Sequence, residues 1–129
     1  MADIDYHQLI DDQIDALFRQ QEEASEIELR SLFSSFKLLT KRMFRCIHAG
    51  VTDHYKYYIA NLFRNPTTDE YKVVIVYGRI GKTQTKREYK FFNQIAAHKK
   101  FDEVCKNRLH KKSGQIPYTE VESMGEMGE

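Results

Sequence analysis

Tyr77-Gly78-Arg79-Ile80-Gly81-Lys82 gathers an aromatic ring, two cations and two glycines within six positions. Glycine lets the backbone take positive φ or pass close to a neighbour, and arginine and lysine neutralise anions. The chemistry such a segment allows is contact with phosphate, with the ring free to stack on a sugar or base. Nucleotide hydrolysis does not follow. Gly81-Lys82-Thr83 looks like the end of a phosphate-binding P-loop, but that motif needs a glycine five residues before Gly81, where the chain has Val76.

No second reactive set competes with it. The sequence has no serine, histidine and acid in a recognisable nucleophile context, and Asp53, Asp69, Glu70, Glu88, Asp102 and Glu103 fall in expected turns or on the polar face of a helix. Cys46 and Cys105 stand far apart without a C-x-x-C neighbour, and the five histidines are scattered, so buried thiols are expected and no metal site or cofactor. The expectation is a binding module and not an enzyme.

The elements that must hold this segment are legible from periodicity. Tyr71 to Tyr77 is β-branched or aromatic apart from Lys72, the pattern of a central strand that Gly78 ends. Alternation predicts strands over Thr40 to Ala49 and Lys56 to Phe63, with one register of the latter facing the core, and a short strand over Thr85 to Phe92. Arg64 to Asp69 is a turn cluster. Asn93 is a capping residue for a helix whose Ala97, Phe101, Val104, Cys105 and Leu109 form one apolar stripe. Its last turn, Arg108 to Lys112, puts positive charge at the negative end of the helix dipole.

Upstream, Ile10, Ile14, Leu17 and Phe18 form an apolar stripe on one helix, and Leu29, Leu32, Phe33 and Phe36 form another after a capping box at Ser25 and Glu28. These stripes either pack on each other and the sheet or serve self-association and a partner contact through Ile10, Ile14, Leu17 and Phe18.

The net charge of +1 hides a division. Residues 1–36 hold nine acids and two bases, residues 37–118 eighteen bases and six acids, and residues 119–129 four acids. A basic centre interleaved with Tyr55, Tyr57, Tyr58, Tyr77, Tyr89, Phe91 and Phe92 has the composition of a surface for nucleic acid, DNA or RNA, although the same aromatics could equally form a core under solvated lysines. The acidic first segment could also lie over the basic face. No run of 18 apolar residues and no secretory leader is seen, so no membrane span and an intracellular location are expected.

Tyr77-Gly78-Arg79-Ile80-Gly81 resembles the Trp-Gly-Arg signature of the WGR domain, found in DNA-dependent poly(ADP-ribose) polymerases and small bacterial proteins, with tyrosine in the tryptophan position. His54 to Leu62 is similar to the family's Asn-Lys-Phe/Tyr-Tyr strand, and Ala97, Phe101, Cys105 and Arg108 fall where its closing helix carries Ala, Phe, Phe and Lys. The resemblance implies a non-catalytic module that binds DNA at ends, nicks or distorted sites. It makes Tyr77 the stacking residue, Gly78 the point of close approach and Arg79 the phosphate or interdomain contact. Position and charge add Lys82, Lys86, Arg87 and Lys90. Arg79 could instead play a structural role, for instance paired with Asp102, and the module could instead be an adaptor that docks a protein.

The expected fold is α+β: an antiparallel sheet of three to five strands covered by one C-terminal helix and preceded by an N-terminal helical pair. The expected divisions are an acidic helical extension over 1–38, the domain over 39–121, and a disordered acidic tail over 122–129. A homodimer through the N-terminal helices is a further expectation.

Overall fold

The computed structural model of the chain describes residues 11–46, 55–110 and 118–121. Ile10, Lys111, Lys112, Pro117 and the acidic tail lie outside them. The elements run α1 (Asp11–Leu32), β1 (Lys37–Cys46), β2 (Lys56–Arg64), β3 (Tyr71–Arg79), β4 (Thr85–Phe91), α2 (Gln94–Leu109) and β5 (Thr119–Val121). The strands form one sheet in the order β4-β3-β2-β1-β5, every neighbouring pair antiparallel. The α+β class is as expected.

Strand register sorts the side chains by face. Opposite partners in a ladder share a face, so Phe44, Tyr58 and Tyr77 stand with Ala60, Ile75 and Arg87 on one side, while Met43, Ile59 and Val76 stand with Tyr57 and Gly78 on the other. The first face packs under α2, where Ala97, Phe101, Val104 and Cys105 meet Phe44, Ala60, Leu62, Val73 and Ile75. The second packs under α1. Ile14 and Phe18 join Met43, Tyr55, Tyr57, Ile59, Val76 and Ile80, and Leu29 joins Phe63 and Val74 with Phe33, Phe36 and Leu38 around them.

Two expectations are corrected by this second layer. The predicted helical pair is one uninterrupted helix. Ser25 is an interior residue of it, 2% exposed against the sheet, because the run from Asp11 to Leu32 is rich in helix formers and the stripe Ile14, Phe18, Ser25, Leu29 continues through it. The partner role expected for Ile14, Leu17 and Phe18 is also displaced: Ile14 and Phe18 are 3% and 0% exposed and Leu17 is partly covered, their apolar surface already taken by this chain's own sheet. The same layer explains why β2 is buried from Tyr57 to Phe63 in both registers, not one.

Charge fastens α1 at its centre. The Lys41 ammonium, with only 3% of its side chain exposed, lies 3.2 Å from Glu22 and 2.5 Å from Glu26, and Arg45 lies 2.7 Å from Asp15. Burial alone would raise the Glu26 carboxyl, but the hydrogen bonds and charges of Lys41 and Arg30 together outweigh it and hold the group below its ordinary value. A group depressed in this way stabilises the fold above the ordinary carboxylate range and loses that contribution as pH falls through its folded value.

Phe18→Ala is expected to cost about 3–5 kcal/mol in urea titration, and removal of residues 1–36 to cost the domain its cooperative fold, because one face of the sheet would be bare. Lys41→Met should cost about 3 kcal/mol at neutral pH by taking away the buried cation that Glu22 and Glu26 share, although Glu22 keeps its bond to Arg19 and Glu26 its bond to Arg30. That deficit should narrow as the pH is lowered through the carboxylate range, measured by denaturation at each pH.

Candidate nucleic-acid interface

The glycine loop is shaped by close approach. Gly78 has φ of 156°, and a Cβ there would stand 3.2 Å from the Thr83 carbonyl oxygen and 3.8 Å from the Tyr57 ring, so a side chain would push the returning loop outward. Gly81, at φ 86°, takes the third position of a turn closed by the Lys82 N–H donating to the Arg79 carbonyl at 3.0 Å. The Ile80 N–H donates to the Tyr55 carbonyl at 2.8 Å, and the Ile80 side chain is fully buried.

Register divides the expected site residues. Tyr77 is half-buried on the α2 face with Arg87, whose guanidinium carbon lies 5.9 Å from the ring centroid. Arg79 is half-buried at the end of β3, opposite Lys56, and Lys82 is in the loop. Lys86 and Lys90 alternate with Arg87 and so belong to the other face of the sheet. Lys90 stands five strand positions from the Tyr77 row, roughly 17 Å at the usual rise, beside Glu70 at 3.6 Å and the Phe92 ring. The seven residues therefore do not form one cluster: Tyr77, Gly78, Arg79, Lys82 and Arg87 gather around the loop and its α2 side, and Lys86 and Lys90 lie apart.

The structure adds residues that sequence reasoning had not grouped. The Tyr58 ring lies 6.1 Å from Tyr77 and 6.4 Å from Tyr118, and Arg108, from the last turn of α2, places its guanidinium 4.7 Å from Tyr58 and 5.5 Å from Tyr118. The Tyr118 N–H donates to the Arg108 carbonyl at 3.0 Å, which carries the chain into β5 beside this group. The signal was there in part, as a basic helix end and a tyrosine-rich strand, but which rings share a face depends on cross-strand register.

Electrostatics separates this cluster from the rest of the surface. Arg19, Arg30, Arg42, Arg45 and Arg64 each meet a carboxylate. Arg42 and Glu120 are paired through two bonds of 2.8 and 2.7 Å, and the Arg42 hydrogen bond holds the Glu120 carboxyl below its ordinary value. Arg87 and Arg108 meet tyrosine rings instead, with no carboxylate in ion-pair range among the described residues. Two guanidinium groups beside a tyrosine triad can take an anion flanked by a planar or sugar surface.

Other features offer less chemistry. A groove of about 510 Å³ runs along α1, lined by Arg19, Glu23, Glu26, Ile27 and Arg30. Among the described residues no three of His, Cys, Asp and Glu are placed to hold a metal ion, and no helix is long and apolar enough to cross a membrane.

Burial raises the Tyr57 and Tyr58 phenols from 10.0 to about 12, opposed at Tyr58 by the Arg108 charge. The folded state therefore keeps these protons after the unfolded chain has lost its own, so their contribution is intact below pH 10 and is lost as pH rises toward 12. Burial raises the Tyr118 phenol as well, so absorbance titration at alkaline pH should show late phenols, these three among them, whose ionisation coincides with unfolding, and Tyr58→Phe should remove one.

Residues 41–119 match the family model of the WGR domain. No curated protein matches the chain.

Proposed function

Because the chain belongs to the WGR domain family, a non-catalytic family of nucleic-acid-binding modules, we propose that it binds DNA at ends, nicks or other distorted sites through the Tyr77–Lys82 loop and the adjoining α2 side of the sheet. The observation that carries this reading is the pair Arg87 and Arg108, which among the described residues meet Tyr77, Tyr58 and Tyr118 and no carboxylate, while five other arginines are paired with carboxylates. Tyr77 supplies the stacking ring, the two guanidinium groups supply phosphate contacts, and Arg79 and Lys82 extend the basic surface along the loop. None of these makes a bidentate approach to base edges a requirement, so recognition is of structure and tolerates sequence. The protein itself performs no catalysis in this reading.

A second reading, docking of a partner protein, is favoured by Phe92 and Ile95, which are 70% and 78% exposed at the start of α2. Apolar side chains so placed are anchors for a protein surface.

Fluorescence anisotropy with matched blunt, nicked and closed-hairpin duplexes across a salt series tests the first reading. Tyr77→Ala and Arg108→Ala should each weaken binding by about 1–3 kcal/mol, and Arg87→Ala or Arg108→Ala should lower the salt slope by about one. A folded Arg79→Ala protein that loses DNA assigns Arg79 to contact, whereas one that no longer folds assigns it to structure. Binding indifferent to DNA structure and to all four substitutions would leave the docking reading, which Phe92→Ser with Ile95→Ser would then test on copurifying proteins.

A further inference from the structure

The family match covers residues 41–119, and α1 lies before it. Yet α1 supplies side chains that hold the backbone and return of the signature loop. The Gly81 N–H donates to the Gln21 Oε1 at 3.0 Å, and the Gln21 Nε2 donates to the Lys82 carbonyl at 3.0 Å. One primary amide thus uses its acceptor and its donor on two consecutive residues of the loop. Glu28 accepts from the Gln84 Nε2 at 3.3 Å, while Gln84 in turn accepts from the Tyr57 hydroxyl at 3.1 Å. Beneath them Ile80 packs with Ile14 and Phe18 of the same helix.

We infer that Gln21 is a positioning residue for the nucleic-acid contact: by clamping the backbone at Gly81 and Lys82 it fixes the directions in which Arg79 and Lys82 leave the loop. This rests on the nucleic-acid reading above. The chemistry of the clamp is particular to an amide. Glutamate could accept from Gly81 but would repel the Lys82 carbonyl, and lysine could donate to that carbonyl but could not accept. A loop ordered in advance does not give up its conformational freedom when ligand arrives, so the benefit is realised as affinity and not only as stability. The contact surface is therefore completed by a helix outside the family-matched segment.

The test uses the full chain, a nicked duplex with fluorescent label, and Gln21→Met, which keeps length and helix propensity but neither hydrogen bond. The variant should melt close to the wild type, its Gly81 amide should exchange about tenfold faster, and its affinity should fall about fivefold. In a background carrying Arg79→Ala and Lys82→Ala the same substitution should change affinity less than about twofold, because the side chains it aims are gone. Should Gln21→Met not fold, Gln21→Asn, an amide one methylene too short to reach both groups, serves in its place with the same expectations. Full affinity in the folded variant overturns the inference, as does an equal loss in the doubly substituted background, which would mark a general effect on the fold. A wild-type protein that binds no duplex overturns the nucleic-acid reading and this inference together, whereas wild-type binding that Gln21 substitution leaves intact overturns the inference alone.

Discussion

Everything in this structure follows from a central strand pair that is apolar on both faces. An antiparallel sheet ordinarily turns one face to water and shows it by strict alternation, but β2 and β3 bury both registers and so require two covers. One is α2, inside the family-matched region, and the other is α1, before it. The N-terminal extension is thus a layer of the domain, held by Phe18 and Leu29 in apolar contact and by carboxylates that answer the two basic residues on its face of β1. The acidic segment does meet basic residues, Lys41 and Arg45, but on the face of the sheet opposite Tyr77 and Arg87, and its apolar stripe makes it a constituent of the core.

The charge division of the chain also acquires a spatial meaning. Acids from before and after the basic centre fold back onto it: Asp15, Glu22 and Glu26 on Arg45 and Lys41, and Glu120 on Arg42. Among the arginines, Arg87 and Arg108 rest on rings at the Tyr77 end of the α2 side. Pairing of arginines elsewhere concentrates guanidinium charge there, since a uniformly basic surface would attract a polyanion without directing it to one place.

The strands, the Asn93 cap and the closing helix were legible because each rests on local pattern: Asn93 accepts from the Ala96 N–H at 3.0 Å, and α2 buries the stripe its spacing announced. The capping box at Ser25 misled because serine and glutamate in that order also suit a helix interior where a small residue is needed near a sheet. The site was legible in its centre, Tyr77 to Lys82, and not in its margins. Lys86, Arg87 and Lys90 look equivalent in sequence, yet alternation separates Arg87 from the other two, and Arg108 reaches the site only because α2 runs back across the sheet. Pairing register and helix direction are properties of the assembled chain, and no window of residues contains them.

The strand order has a kinetic side. β1 to β4 are each adjacent to their successor, so the meander can zip from contacts made early and close in sequence. Only β5 must travel, crossing by way of α2 to the far edge to pair at Met43 to Arg45, a closure of 74 to 78 residues by sequence separation. It is three residues long and follows directly on Tyr118, whose N–H is bound to Arg108. The ring cluster at the end of α2 therefore also anchors the strand with the longest closure, beside the face proposed to meet nucleic acid.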